Sequence, residues 1–290
     1  MKKLLILSGK GGTGKTTTAA AFIRFANACA YADCDVDAPN LHLVATTGNE
    51  PEYFDYMGSQ KAAVDPGKCL GCGSCIKVCR FDAIRKTGSV CKVDEFACEG
   101  CGVCTTACPV GAVGLQDDVA GEVALYRNPA VFATAQLKMG RGNSGKLVSE
   151  VKLALANAAQ GEELAIIDGS PGIGCPVIAS MSGVDLVLIV AEPSLSGRSD
   201  LERILKTAGI FQTKTAVCIN KYNASPENAE KIELFCTQRG IPFVGRIPYD
   251  RQASAAINSG KSLADIDCPA SRALREVFAR TMNLLGGETR

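Results

Sequence analysis

The chain has 290 residues, 47% of them hydrophobic, with 31 Lys and Arg against 30 Asp and Glu, a net charge of +1. That length allows one large domain and a small one, and the balanced charge supplies no global field drawing the protein to nucleic acid or anionic lipid. No apolar run approaches the roughly 20 residues of a membrane span, and residues 4–7 are too short for the apolar core of a secretory signal. Fifteen cysteines in a chain of this size read poorly as the disulfide scaffold of a short secreted protein. A cytoplasmic protein with reduced thiols, free to hold metal, is expected, with no membrane contact.

In chain order, residues 2–8 predict a buried strand, 9–14 a glycine-rich loop and 15–27 a helix. A second strand over 29–33 ends in Asp33-Cys34-Asp35-Val36-Asp37. From about 60 to 118 the texture changes: cysteine and glycine rise and long periodic helices vanish. Cys69-x2-Cys72-x2-Cys75-x3-Cys79 recurs 29 residues later as Cys98-x2-Cys101-x2-Cys104-x3-Cys108, followed by Pro109. Beyond 118, short apolar strands at 164–168, 186–191, 215–220 and 243–247 alternate with helical stretches near 145–159, 199–207, 226–239 and 269–285. Such alternation predicts a doubly wound, mostly parallel α/β sheet. The cysteine-rich stretch, 61–118, is then an insertion dividing that domain into 1–60 and 119–290.

Gly9-x4-Gly14-Lys15-Thr16 has the phosphate-loop pattern, in its required place between strand and helix. Glycines let backbone amides converge on phosphate, the helix presents its positive end, and Lys15 reaches the β- and γ-phosphates. Gly9, Gly11, Gly12, Thr13, Gly14, Lys15, Thr16 and Thr17 form the expected nucleotide cradle, with the Thr16 hydroxyl on Mg2+. The apolar strand ending at Asp168, before Gly169-Ser170-Pro171-Gly172, predicts a second Mg2+ group and a loop sensitive to the γ-phosphate. Gly140-x4-Gly145-Lys146 mimics another phosphate loop, but Leu147 stands where Ser or Thr is needed and no strand end is evident before it. It reads as a loop entering a helix.

Lys10 is not required by an ordinary phosphate loop. With it, the sequence resembles the deviant Walker-A ATPases, the MinD, ParA, Mrp and nitrogenase iron protein superfamily, and within it MinD-like ATPases carrying an inserted ferredoxin domain. The resemblance implies ATP or ADP with Mg2+, and an ATP-dependent homodimer in which Lys10 crosses to the partner's nucleotide. It implies that Asp35 orients the attacking water or acts as its base, while Asn220, Lys221 and Pro248 lie against the adenine. Asp33 and Asp37 read equally well as loop capping. Cys175 stands seven residues after Asp168, as does the bridging-cluster ligand of the nitrogenase iron protein; a second cysteine is lacking over 109–174, so such a cluster is not expected.

The paired cysteine runs have the spacing of bacterial ferredoxins with two [4Fe–4S] clusters, each run giving its fourth thiolate to the other cube. This predicts Cys69, Cys72, Cys75 and Cys108 on one cluster, and Cys98, Cys101, Cys104 and Cys79 on the other. Paired structural zinc is the alternative, although zinc does not call for this four-cysteine run twice. Arg80 stands where a proline is expected after Cys79. The insert holds seven basic and seven acidic residues, so strong electrostatic docking is not predicted. Three functions fit: ATP-gated electron transfer to an unidentified redox partner, a redox-sensing positioning or assembly ATPase, or an iron–sulfur carrier of the Mrp type. The amphipathic stretch 271–285 raises a membrane-attaching version of the second; docking on the sheet is the alternative.

Overall fold

The computed structural model describes residues 1–45 and 50–287. Two compact units emerge: Met1–Tyr53, Val123–Gln136 and Ser144–Arg290 form the first, Phe54–Glu122 and Leu137–Asn143 the second. The second unit is wider than the stretch 61–118 marked out by the sequence: it starts at Phe54, runs to Glu122 and takes in 137–143.

The chain runs β1 (Lys2–Leu7), α1 (Lys15–Ala26), β2 (Ala30–Asp33), β3 (Glu52–Met57), β4 (Lys61–Val64), α2 (Ser74–Val78), β5 (Ile84–Thr87), β6 (Val90–Val93), α3 (Val103–Thr106), β7 (Val113–Gln116), β8 (Val119–Tyr126), β9 (Val131–Leu137) and α4 (Ser144–Ala158). It continues through β10 (Leu164–Asp168), α5 (Cys175–Met181), β11 (Leu186–Ala191), α6 (Leu195–Ile210), β12 (Lys214–Asn220), α7 (Pro226–Gln238), β13 (Phe243–Ile247), α8 (Arg251–Asn258) and α9 (Pro269–Gly286).

One sheet has the order β13-β12-β11-β1-β10-β2-β9-β8-β3. The pairings from β13 to β9 are parallel. Parallel strands covered on both faces read as continuous apolar runs, which is why Leu4–Leu7 and β11 are buried throughout. β1 lies between β10 and β11, with the chain winding outward in both directions. Carboxyl ends at such a switch point form the usual ligand crevice of open α/β sheets. The register there sets Ile6 beside Asp168 and Asp168 beside Asp33.

Helix α9 buries Leu274, Val277 and Leu285 in the core beside β13 and α1, where Phe278 meets Phe22 edge-on at 5.0 Å. Its apolar stripe is consumed by packing, so this face is not presented to lipid. Among the described residues no helix is long and apolar enough to cross a membrane.

In the second unit, β4 pairs antiparallel with β7 and β5 with β6. Their small core is Ala62, Ala83, Ile84 and Val113 together with Cys75, Cys91, Cys98 and Cys104.

Candidate functional site

The loop after β1 turns through two positive-φ glycines, Gly12 at 77° and Gly14 at 97°. A Cβ on Gly14 would come within 2.2 Å of the Asn220 amide nitrogen, so both torsion and space demand glycine. From the end of β12, Asn220 Nδ2 donates to the Thr13 carbonyl (2.7 Å) and Lys221 Nζ to the Gly12 carbonyl (2.8 Å). The carbonyls of Gly12 and Thr13 are thereby occupied and the loop's amides left to an anion. Helix α1 starts without a side-chain cap, so its first amides also face that position.

Lys15 Nζ donates to Asp168 Oδ1 at 2.7 Å and lies 3.3 Å from Thr16 Oγ1; the side chains of Lys15 and Asp168 are 7% and 0% exposed. Burial, helped by Asp33 and opposed by Lys15, raises the Asp168 carboxyl to about 6. Among the described residues its buried Oδ2 has no partner.

Asp33 accepts from the amides of Asp35 (3.0 Å), Asn40 (2.9 Å) and Leu41 (2.9 Å), although burial still holds its pKa above the ordinary carboxylate value. Its observed bonding is loop capping, and the loop it pins carries Asp35. Burial also raises Asp35, against the pull of Lys15.

The phosphate loop, Lys15 and Asp35 open onto a cavity of about 380 Å3, within the usual range of small-molecule sites, and Asp33 and Asp168 are not part of its lining. Gly11, Thr16, Thr17 and Asp35 line it at the phosphate loop, Pro248 and Tyr249 at the far side. Asn223, which sequence reading missed, ties the far side together: Oδ1 accepts from Tyr249 N (2.7 Å) and Nδ2 donates to Tyr249 O (3.4 Å).

In the second unit, Cys79 of the first run joins Cys98, Cys101 and Cys104 around one small cavity. Burial raises the Cys104 thiol, and Cys98, Cys101 and Cys79 add to the rise by proximity. The amide of Val110 leads in lowering the half-buried Cys108 thiol, and Cys72 is close enough to oppose it. Backbone amides point at sulfur in both groups: Gly71 N and Cys91 N to Cys69 Sγ, and Ala62 N to Cys98 Sγ, all at 3.4 Å, and Ala112 N to Cys108 Sγ at 3.2 Å. Among the described residues no three of His, Cys, Asp or Glu gather closely enough to hold a single metal ion.

The chain matches the CobQ/CobB/MinD/ParA nucleotide-binding domain over residues 4–263. It belongs to that family. An uncharacterised protein of Methanocaldococcus jannaschii is 31% identical, covering 96% of this chain and 95% of its own. A protein named iron-sulfur cluster carrier, from the same organism, is 22% identical over 99% of this chain and 86% of its own. The cell-division ATPase MinD of Pyrococcus furiosus is 16% identical with a TM-score of 0.56, covering 98% of this chain and 99% of that one. At that identity the likeness is one of fold: a large, mostly parallel central sheet flanked by helices.

Within this MinD/ParA-type site Lys10 is turned toward its own chain, paired with Glu192 and 3.4 Å from Ser196 Oγ. Cys175 is exposed at the first turn of α5, its Cβ only 3.2 Å from where a Cβ on Gly145 would lie. The 140–146 stretch does follow a strand, contrary to expectation, because β9 ends at Leu137. It is not built as a phosphate cradle. Gly140 lies against Phe96, and Arg141 binds Glu95 (2.5 Å) and Asp118 (2.9 Å).

Proposed function

We propose that the protein is an ATP-hydrolysing iron–sulfur protein in which a nucleotide-dependent homodimer is coupled to electron transfer through two [4Fe–4S] clusters. The observation that carries this reading is the interleaving of the cysteines, Cys79 with Cys98, Cys101 and Cys104 and Cys108 near Cys72, in one chain with a phosphate loop. The all-thiol donor set and the amides aimed at its sulfurs suit cubes, which supply one-electron storage when bound. Residues 61–118 would act as the ferredoxin domain, with 1–60 and 119–290 as the ATPase.

At the nucleotide, Lys15 leaves Asp168 for the β- and γ-phosphate oxygens. Thr16 and Asp168 would hold Mg2+, which screens the phosphate charge; the unpartnered Asp168 Oδ2 suits that task. Asp35, its carboxyl raised by burial, orients the attacking water. Asn220, Lys221 and Pro248 flank the base, and Lys10 exchanges Glu192 for the partner's nucleotide.

The test is Lys15→Ala in protein loaded with iron and sulfide. ATP-driven electron delivery to an artificial acceptor should stop while both clusters stay bound; undiminished delivery refutes the coupling. The relative named as an iron–sulfur cluster carrier favours a second reading, transfer of a cluster to an acceptor. That reading requires loss of iron from this protein to an apo-acceptor in the presence of ATP, and fails if all the iron stays bound.

A further inference from the structure

The 29-residue repeat of the second unit carries hydrogen bonds as well as cysteines. Ala62 N to Cys98 Sγ and Cys91 N to Cys69 Sγ are counterparts, both 3.4 Å. Gly67 N to Asp65 Oδ1 (2.9 Å) and Phe96 N to Asp94 Oδ1 (3.0 Å) are another such pair. The symmetry breaks at Lys61, whose counterpart is Val90. Lys61 is 8% exposed, and its ammonium donates to the carbonyl oxygen of Cys98. Val90 brings no charge toward Cys69.

Other charges near the two cysteine groups lie on the surface. Lys68, Lys77 (which acts on Cys72) and Lys86 stand on the Cys69 side, Arg80 and Glu99 on the side of Cys79 and Cys98, and all five are exposed. Water and salt screen such charges, while a buried ammonium acts through a lower dielectric. The cavity beside Lys61 also presents Glu95 and Asp118, but Arg141 binds both carboxylates.

We propose that Lys61 sets the direction of electron flow inside the unit, by holding the cluster of Cys98, Cys101, Cys104 and Cys79 at a higher reduction potential than that of Cys69, Cys72, Cys75 and Cys108. Reduction adds one negative charge to a cube, and a buried cation beside it favours that state. One electron leaves the first cluster as the second gains it, with no bond or proton exchanged. Lys61 touches a ligand residue rather than the reacting atoms and is a positioning residue. The inference rests on the two-cluster reading.

Iron and acid-labile sulfide are measured first in anaerobic wild-type protein. Fewer than eight irons sinks the two-cluster reading and, with it, the role of Lys61. With eight present, EPR-monitored redox titration compares wild type, Lys61→Met and Lys61→Arg. Lys61→Met should lower the upper couple by at least a tenfold change in equilibrium constant, about 59 mV for one electron, and leave the lower couple in place. Lys61→Arg should keep the wild-type separation. Equal movement of both couples, movement of the lower one alone, or no movement overturns the proposal. A measurement without variants stands beside these: in wild-type protein reduced by one electron, paramagnetic NMR of labelled cysteines should place the electron on the Cys98 group. Reduction of the Cys69 group first overturns the proposal, whatever the variants do.

Discussion

Replacing Lys15 by Met removes a charge but keeps the chain length, and it strikes the most deeply buried ion pair of the site. Asp168 is fully buried, its Oδ2 already lacks a partner among the described residues, and Asp33 stands beside it in the sheet. Leaving such a carboxylate unpaired costs about 3–5 kcal/mol. In a protein of this size that is a drop in Tm on the order of 10 °C. The loss should depend on pH. With Lys15 present the folded Asp168 carboxyl is already raised to about 6, and without it the value rises further. A carboxyl raised by folding contributes stability that is present below its unfolded pKa and lost as pH rises through its folded pKa. The variant should therefore lie near wild type at pH 5 and well below it at pH 8. Thermal unfolding of nucleotide-free, anaerobic protein at both pH values reads the effect, and hydrogen exchange in β1 and β10 localises it. Adding Asp168→Asn should restore most of the loss at pH 8. An equal loss at both pH values, or no recovery, would refute the reasoning.

Lys10→Ala should weaken ATP-dependent dimerisation in analytical ultracentrifugation more than it weakens ATP binding by the monomer, and dimerisation equal to wild type removes the trans role. Glu192→Gln should shift dimerisation in the opposite direction, by no more than about fivefold because both side chains are partly exposed. Gly14→Ala, with φ at 97° and Asn220 in the way, should abolish nucleotide binding measured by calorimetry; retained affinity contradicts the loop geometry. Cys79→Ala should halve the iron content and erase the EPR signal of the Cys98 group, leaving the cluster of Cys69, Cys72, Cys75 and Cys108. Loss of the Cys69 group instead would reverse the interleaving.

The alternation of apolar strands with helices was legible because parallel strands covered on both faces, such as β11, read as unbroken apolar runs. Strands β3, β8 and β9 escaped. β8 carries Gly121 and an exposed Glu122, and β3 is exposed at five of its six residues, so neither forms such a run. Gly12, Gly14 and Lys15 could be assigned to a phosphate loop because that loop's chemistry is local in sequence. Glu192 beside Lys10, and Asn223 beneath Tyr249, could not. Their pairing exists only after separate strands bring their carboxyl ends together, and a polar residue at a strand end carries no mark of its future neighbour. Lys61 was hidden for the same reason. Only the repeat, once its hydrogen bonds are seen, shows that a buried cation stands where the other half has Val90.

The central claim is that nucleotide and electron share one free-energy account. The direct measurement is an anaerobic redox titration of the clusters, followed by EPR, with ADP and then with ATP bound. Coupling predicts that at least one couple moves by about 60 mV, roughly 1.4 kcal/mol for a one-electron step. Superimposable titrations with the two nucleotides would contradict it.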